Sequence, residues 1–223
     1  MSYTVRSSEK LRKSGSEAET KALLYLMNFR MDSDKIYYFV VDFFNDLTGM
    51  DSMASKLWDM QSKGAHNVGP NAIGKELVTL FKNYMSELSF EAYILFVGSV
   101  TGSLRKDSSI DIFGRSNIKE SAIELIKKGL VVEGKAKEYI DNDTLTEKNI
   151  DDFLDKVLIV VDNDRKPSEY VKAIIKNHPN IIPEEKILDA IFNEIRDKQA
   201  GKKNASSVEN IVIETTDEAL NYG

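Results

Sequence analysis

Apolar positions change period several times along the first hundred residues, and each change marks an element. From about Gly15 to Met31, Ala22, Leu23, Leu26, Met27 and Arg30 recur at helical spacing; Ser14 or Ser16 is placed to cap this helix, and Glu17 and Glu19 suit its positive end. The run KIYYFVVDFF, residues 35–44, is aromatic and β-branched and predicts a strand. NDLTGMDS breaks that pattern, and a second strand follows from about Ser55 to Lys63, stopping at Gly64. After the loop GAHNVGPN (64–71), Ile73, Leu77, Leu80, Phe81 and Tyr84 form one face of a helix from about Ala72 to Glu87. Residues 91–100, EAYILFVGSV, read as a short, continuously apolar buried strand. The order helix, strand, strand, helix, strand predicts an α/β fold in which helices cover both sides of a small mixed sheet.

The second half is more helical. A helix is expected from about Ile118 to Lys128, with Gly129 as its C-cap residue. A short helix over 147–156 leads into the buried strand VLIVVD at 157–162. Pro167 and Pro183 open helices that run through about Asn177 and Gln199. The polar stretch GKKNASSVEN reads as a link, and IVIETTD after it as an edge strand. One domain over residues 1–200 is expected, with its core at about 12–100 and a helical elaboration at about 101–200; residues 201–223 form a polar linker or tail.

Composition narrows the chemistry. There are no cysteines and only two histidines, which removes disulfides and thiolate zinc and leaves little for a histidine-based metal site. No apolar run approaches the roughly 18–20 residues of a membrane span, and the N-terminus lacks the apolar core of a signal peptide, so a cytoplasmic protein with no membrane partner is expected. The net charge of −6 excludes a uniformly basic nucleic-acid surface. Basic residues gather only locally, at Arg6, Lys10, Arg12 and Lys13, at Arg105 and Lys106, and at Lys202 and Lys203.

The informative stretch is FFNDLTG followed by LWDMQSKG. Alternation along the second strand points Asp59, Gln61 and Lys63 one way and Trp58 and Met60 the other. A polar row on a strand that otherwise reads as core requires a reason, because unpaired buried polar groups are costly. Asp46 ends the preceding strand and reaches the same edge across a hairpin. Phosphodiester cleavage explains the set. A hard cation such as Mg²⁺ takes oxygen ligands, here the Asp46 carboxylate, the Gln61 amide oxygen and the carbonyl between Gln61 and Lys63, while the lysine orients water and stabilises charge growing on phosphorus.

An acid followed by a strand carrying Gln-x-Lys, after a helix with Gly15 and Glu19 four residues apart, resembles the PD-(D/E)XK nuclease superfamily in its Q-x-K variant. FNDL, the Q-x-K strand and the helix IGKELVTLFKNYM are more closely similar to the nuclease domain of antiphage defence effectors of CBASS-type, Lamassu-type and HerA-helicase-linked systems. The resemblance spans about residues 12–100. It implies a restriction-endonuclease-like core, a Mg²⁺ (or Mn²⁺) cofactor and hydrolysis of double-stranded DNA. Asp46, Gln61 and Glu19 would hold the metal, with Lys63 as the catalytic lysine. It also implies a homo-oligomer, or a partner defence protein such as an ATPase. Two positions depart from the pattern: Gln61 stands where an acid is usual, and Asn45 where a proline is.

Each residue also has a plainer reading. Asp46 is placed for a local Asx turn, Gln61 and Lys63 for the guarded face of an edge strand, and Glu19 for a helix dipole. His66, Lys75 and Lys82 would line a DNA path or simply meet solvent. Asp42 and Glu17 are second-choice ligands, His178 is structural, and Asp111 in SSIDIF marks a further strand. The contrasting expectations are a non-catalytic interaction or assembly module on a decayed nuclease fold, and a generic α/β protein whose polar face binds another ligand.

Overall fold

A computed structural model describes residues 3–4, 13–28, 31–175, 183–205 and 212–213. The strands are β1 (Tyr3–Thr4), β2 (Tyr38–Val41), β3 (Leu47–Met50), β4 (Leu57–Lys63), β5 (Phe90–Val97), β6 (Ile112–Phe113), β7 (Val157–Val161) and β8 (Val212–Ile213). The helices are α1 (Lys13–Asn28), α2 (Pro70–Glu76), α3 (Val78–Tyr84), α4 (Glu120–Lys135), α5 (Glu147–Leu154), α6 (Pro167–Ile175) and α7 (Glu185–Ala205). Arg6, Lys10, Arg12, Arg30 and His178 lie outside the described residues.

Six strands form one sheet in the order β2-β3-β4-β5-β7-β6. β2, β3 and β4 make an antiparallel meander, β4, β5 and β7 run parallel, and β6 closes the far edge antiparallel to β7. The two faces bury different partners. Leu57, Tyr93, Leu95, Val97, Ile159 and Val161 pack under α2–α5, and Trp58, Met60, Ile94, Phe96 and Val160 pack under α1, α6 and α7. The apolar runs in β5 and β7 are therefore what a strand covered on both sides requires. Among the described residues no helix is long and apolar enough to cross a membrane.

The α/β class and the mixed, helix-flanked sheet agree with the sequence reading, and four details correct it. The strand expected over 35–44 is two structures: only Tyr38–Val41 pairs, and Asp42, with φ 58, turns the chain so that its N–H donates to Asp46 O at 3.1 Å. A strand then runs through the stretch read as a break. Gly49 fits there because a Cβ would lie 2.9 Å from Ile36 Cγ2, so its absence lets the cover pack closely. From α1 to β5 the chain thus runs helix, three strands, helices, strand, and Asp46 precedes the middle strand rather than ending the first. The helix expected over 72–87 is divided at Leu77 into α2 and α3.

The third correction concerns α4, which passes through Gly129 to Lys135. No described glycine has positive φ, so Gly129 is not a left-handed C-cap. It serves helix packing instead. A Cβ on Gly129 would lie 2.1 Å from Asn71 O, and one on Gly74 2.0 Å from Ile126 O, so α2 and α4 meet backbone to backbone. Fourth, Val212–Ile213 pairs with Tyr3–Thr4 in a separate two-stranded ladder, away from the main sheet's edge. The second half also supplies β6 and β7 to the sheet as well as its helices.

Gly129→Ala is expected to destabilise the fold by about 1–3 kcal/mol, lowering the melting temperature by roughly 2–4 °C per kcal/mol. Gly102→Ala meets nothing within 4 Å and serves as the control. Equal melting temperatures for the two variants would contradict the backbone-to-backbone packing.

Candidate active site

β3 and β4 pair with Leu47 opposite Met60 and Thr48 opposite Asp59, which brings Asp46, just before β3, to Gln61. Three hydrogen bonds converge on one Asp46 oxygen, Oδ2. Gln61 Nε2 donates at 2.7 Å, and the Ser62 N–H and Oγ each donate at 2.8 Å. The described residues give Oδ1 no hydrogen bond, so it is the oxygen open to a cation. Gln61 is buried, and its Oε1 accepts from Thr79 Oγ1 on α3 at 3.2 Å. Lys63 ends β4 half-exposed, with its ammonium 3.3 Å from Glu76 Oε2 on α2.

Beneath this cluster lies a second buried polar layer. Asp59 is fully buried, accepting from Asn45 Nδ2 at 2.9 and 2.8 Å and from Asn83 Nδ2 at 2.7 Å. Burial outweighs those two amides and the nearby Lys82, so the Asp59 carboxyl is pushed up to about 7. Asn45 thereby ties the residue before Asp46 to the sheet interior, which fixes where Asp46 starts.

The sequence candidates are thus partly gathered. Asp46 and Gln61 touch, and Lys63 stands one alternate position further along the same face of β4. Glu19 is half-buried on α1, the helix that covers the opposite face of the sheet. Among the described residues no group of three His, Cys, Asp or Glu side chains is arranged to hold a metal. Asp42 is exposed at the tip of the β2–β3 turn. His66 is exposed and pairs with Asp164 at 3.3 Å. Lys75 is exposed on α2, whereas Lys82 is half-buried on α3, with its ammonium 5.8 Å from the Tyr139 ring centre and its pKa lowered by burial.

Sequence reasoning missed Ser62, Thr79, Glu76, Asn45 and Asn83. Ser62 falls on the opposite face by alternation, yet its backbone N–H is half of the tether to Asp46. The others come from α2, α3 and the turn, and no local pattern announces them. The Asp46 carboxylate is a hard oxygen donor of the kind Mg²⁺ takes, whereas the Gln61 amide oxygen accepts from Thr79. With Gln61 presenting its N–H₂ to Asp46, its amide would need to turn over to present oxygen instead. Comparisons with family models, characterised proteins and solved structures find no match.

Asp59 yields a pH prediction. The folded chain keeps its proton up to about pH 7, whereas the unfolded carboxyl loses it near 3.8, so its contribution to stability is full below about pH 4 and falls as pH rises towards 7. Asp59→Asn removes that titration. In metal-free urea unfolding, the stability difference between wild type and variant should change by on the order of 4 kcal/mol between pH 4 and 8. A pH-independent difference would refute the buried, proton-holding carboxyl.

Proposed function

We propose that this chain is a metal-dependent endonuclease that hydrolyses phosphodiester bonds of double-stranded DNA, on a restriction-endonuclease-like core. The observation that carries the reading is Asp46 meeting Gln61 at the start of β3, with Lys63 following on the same face of β4. The mixed, helix-flanked sheet with α1 ahead of it supports the reading at the level of fold class, although three strands stand where two were expected.

In this reading the Asp46 carboxylate, the Gln61 amide oxygen and the Ser62 carbonyl would hold Mg²⁺ or Mn²⁺. When bound there, the cation supplies positive charge to a phosphate oxygen and acidity to a water. Ser62 keeps the Asp46 carboxylate aimed, its two donors occupying the far oxygen. Turning the Gln61 amide end for end leaves its carbon skeleton in place, gives up the bond to Asp46 Oδ2 and lets Nε2 donate to Thr79 Oγ1. Lys63 orients the attacking water and stabilises charge on phosphorus, and Glu76 positions its ammonium. The negative charge that Gln61 lacks would fall to Glu76, because Glu19, expected to share the metal, stands on α1 at the opposite face of the sheet. Lys75, Lys82 and His66 would meet the DNA backbone at the periphery. The acidic balance of the chain fits an enzyme that engages DNA only when oligomerised or joined to a partner such as an ATPase, as the effector of a prokaryotic antiphage system.

A second reading has an observation of its own. Gln61 and Lys63 are already satisfied within the chain, by Asp46 and Glu76, as they would be in a non-catalytic interaction module on a decayed nuclease fold. A plasmid-nicking assay with Mg²⁺ separates the two. The nuclease reading expects nicking by wild type that falls at least about a hundredfold in Lys63→Ala and in Asp46→Ala. Undiminished nicking by the variants overturns the assignment, and no nicking by oligomerised wild type favours the module.

A further inference from the structure

β4, β5 and β7 end side by side, and backbone bonds stitch the loops that leave them. Gly98 N donates to Lys63 O at 3.1 Å, Ser99 N to Ala65 O at 3.3 Å, Asp162 N to Val97 O at 2.8 Å, and Asn163 N to Gly98 O at 2.9 Å. Gly98 permits this closeness, since a Cβ there would lie 2.8 Å from Ala65 O. The chain after β5 then turns towards α4 on one face, while the chain after β7 enters α6 on the other. Where neighbouring parallel strands send their connections to opposite faces a crevice opens, and open α/β sheets bind ligands there. Here it is a cleft of about 330 Å³ floored by Phe96 and bordered by Glu17, Lys21, His66, Arg165 and Lys166.

The basic side chains come from three separate elements: Lys21 from α1, His66 from the loop after β4, and Arg165 and Lys166 at the head of α6, whose first residue Pro167 also lines the cleft. The N-terminal end of α6 adds partial positive charge to the same wall. Lys21 is the anchor. Its side chain is only 8% exposed, and its ammonium is held at 2.8 Å by Asp162, whose other oxygen accepts from Tyr170 Oη at 2.5 Å. A buried ammonium is tolerated only with such a partner, and the partner fixes it in place. Arg165 is backed by Asp111 at 3.7 Å, the carboxylate that also meets Arg105 and Asn163. Asn163 and Asp164 hold left-handed backbone, φ 50 and 56, which Asn and Asp tolerate and which aims the loop into α6.

Towards solvent three of these side chains are met by accessible carboxylates: Lys21 by Glu17 at 3.4 Å, His66 by Asp164 at 3.3 Å, and Lys166 by Glu185 at 2.9 Å. Exposed pairs of this kind contribute about 0–1 kcal/mol, so an anion with better geometry displaces them. We propose that this cleft binds a phosphate ester, with the phosphate on Lys21, Arg165, Lys166 and the α6 terminus and the rest of the molecule against Phe96. The volume sits at the lower end of small-ligand pockets, which suits one nucleotide and not a duplex lying along it. The phosphate belongs either to a free mononucleotide or to the 5′ end of a DNA strand. The site does not use Asp46, Gln61 or Lys63, and it stands or falls independently of the nuclease reading.

The test is calorimetric titration in EDTA at low salt with a deoxynucleoside 5′-monophosphate, its nucleoside, and a short duplex with or without 5′-phosphates. Phosphate-dependent binding is expected, unchanged in Asp46→Ala and weakened at least about tenfold in the double variant Arg165→Ala/Lys166→Ala. Glu17→Gln removes the competing carboxylate and should tighten binding severalfold. Binding of the monophosphate identifies a free nucleotide as a ligand, and preference for the phosphorylated duplex alone identifies a DNA end; either upholds the site. Absence of phosphate-dependent binding, or binding that the double variant leaves unchanged, overturns it. Should circular dichroism find the double variant unfolded, Glu17→Gln decides alone, and unaltered affinity then counts against the site.

Discussion

The register of β4 between an antiparallel neighbour and a parallel one governs where every candidate residue stands. Pairing Leu47 with Met60 on one side, and Gln61 with Leu95 on the other, holds β4 with its apolar alternate residues under α1 and its polar ones under α3. A slip of one residue would exchange those faces, burying Gln61 and Lys63 against α1 and expelling Trp58 and Met60 from their core. Trp58 and Met60 are almost wholly buried, so the hydrophobic cost of that slip falls on two large core side chains. The same register carries Asp46 to Gln61 on one edge and brings the ends of the parallel strands together as the floor of the cleft.

Polar burial adds a second constraint. Asp59 holds two asparagine amides where a core strand would ordinarily bury an apolar group, and Thr48 opposite it leaves a buried hydroxyl without a partner among the described residues. Such groups detract from stability unless satisfied, and their arrangement here does structural work that an apolar residue could not. Asn45 is pinned to the strand that carries Gln61, which limits how far Asp46 can wander. Stability and positioning are therefore drawn from the same few hydrogen bonds.

Much of this was legible in the chain, for physical reasons that differ by element. β5 and β7 announce themselves because a strand buried on both faces is apolar throughout, and the alternation along β4 correctly separates Gln61 and Lys63 from Trp58 and Met60. The Asp46–Gln61 meeting was inferred, but from the wrong strand. Two aromatic-rich segments with a five-residue turn between Asp42 and Asp46 read as one run, because Phe43 and Phe44 look like strand and only the left-handed backbone of Asp42 reveals the turn. Gly129 misled for a similar reason: a glycine that ends a helix and one that lets a neighbouring helix approach are the same letter. Ser62, Thr79 and Glu76 were hidden because their roles arise from backbone groups and from helices folded over the sheet. The cleft was hidden because its walls come from segments far apart in the chain.

The cation site proposed at Asp46 and Gln61, with Lys63 beside it, is open to direct observation. Crystals soaked in Mn²⁺ and measured at the manganese absorption edge test it most directly. An anomalous peak against Asp46 is expected, with the Gln61 amide oxygen turned towards it, and the peak should be lost in Asp46→Asn. A map with no peak at Asp46, or with the same peak in the variant, would contradict it.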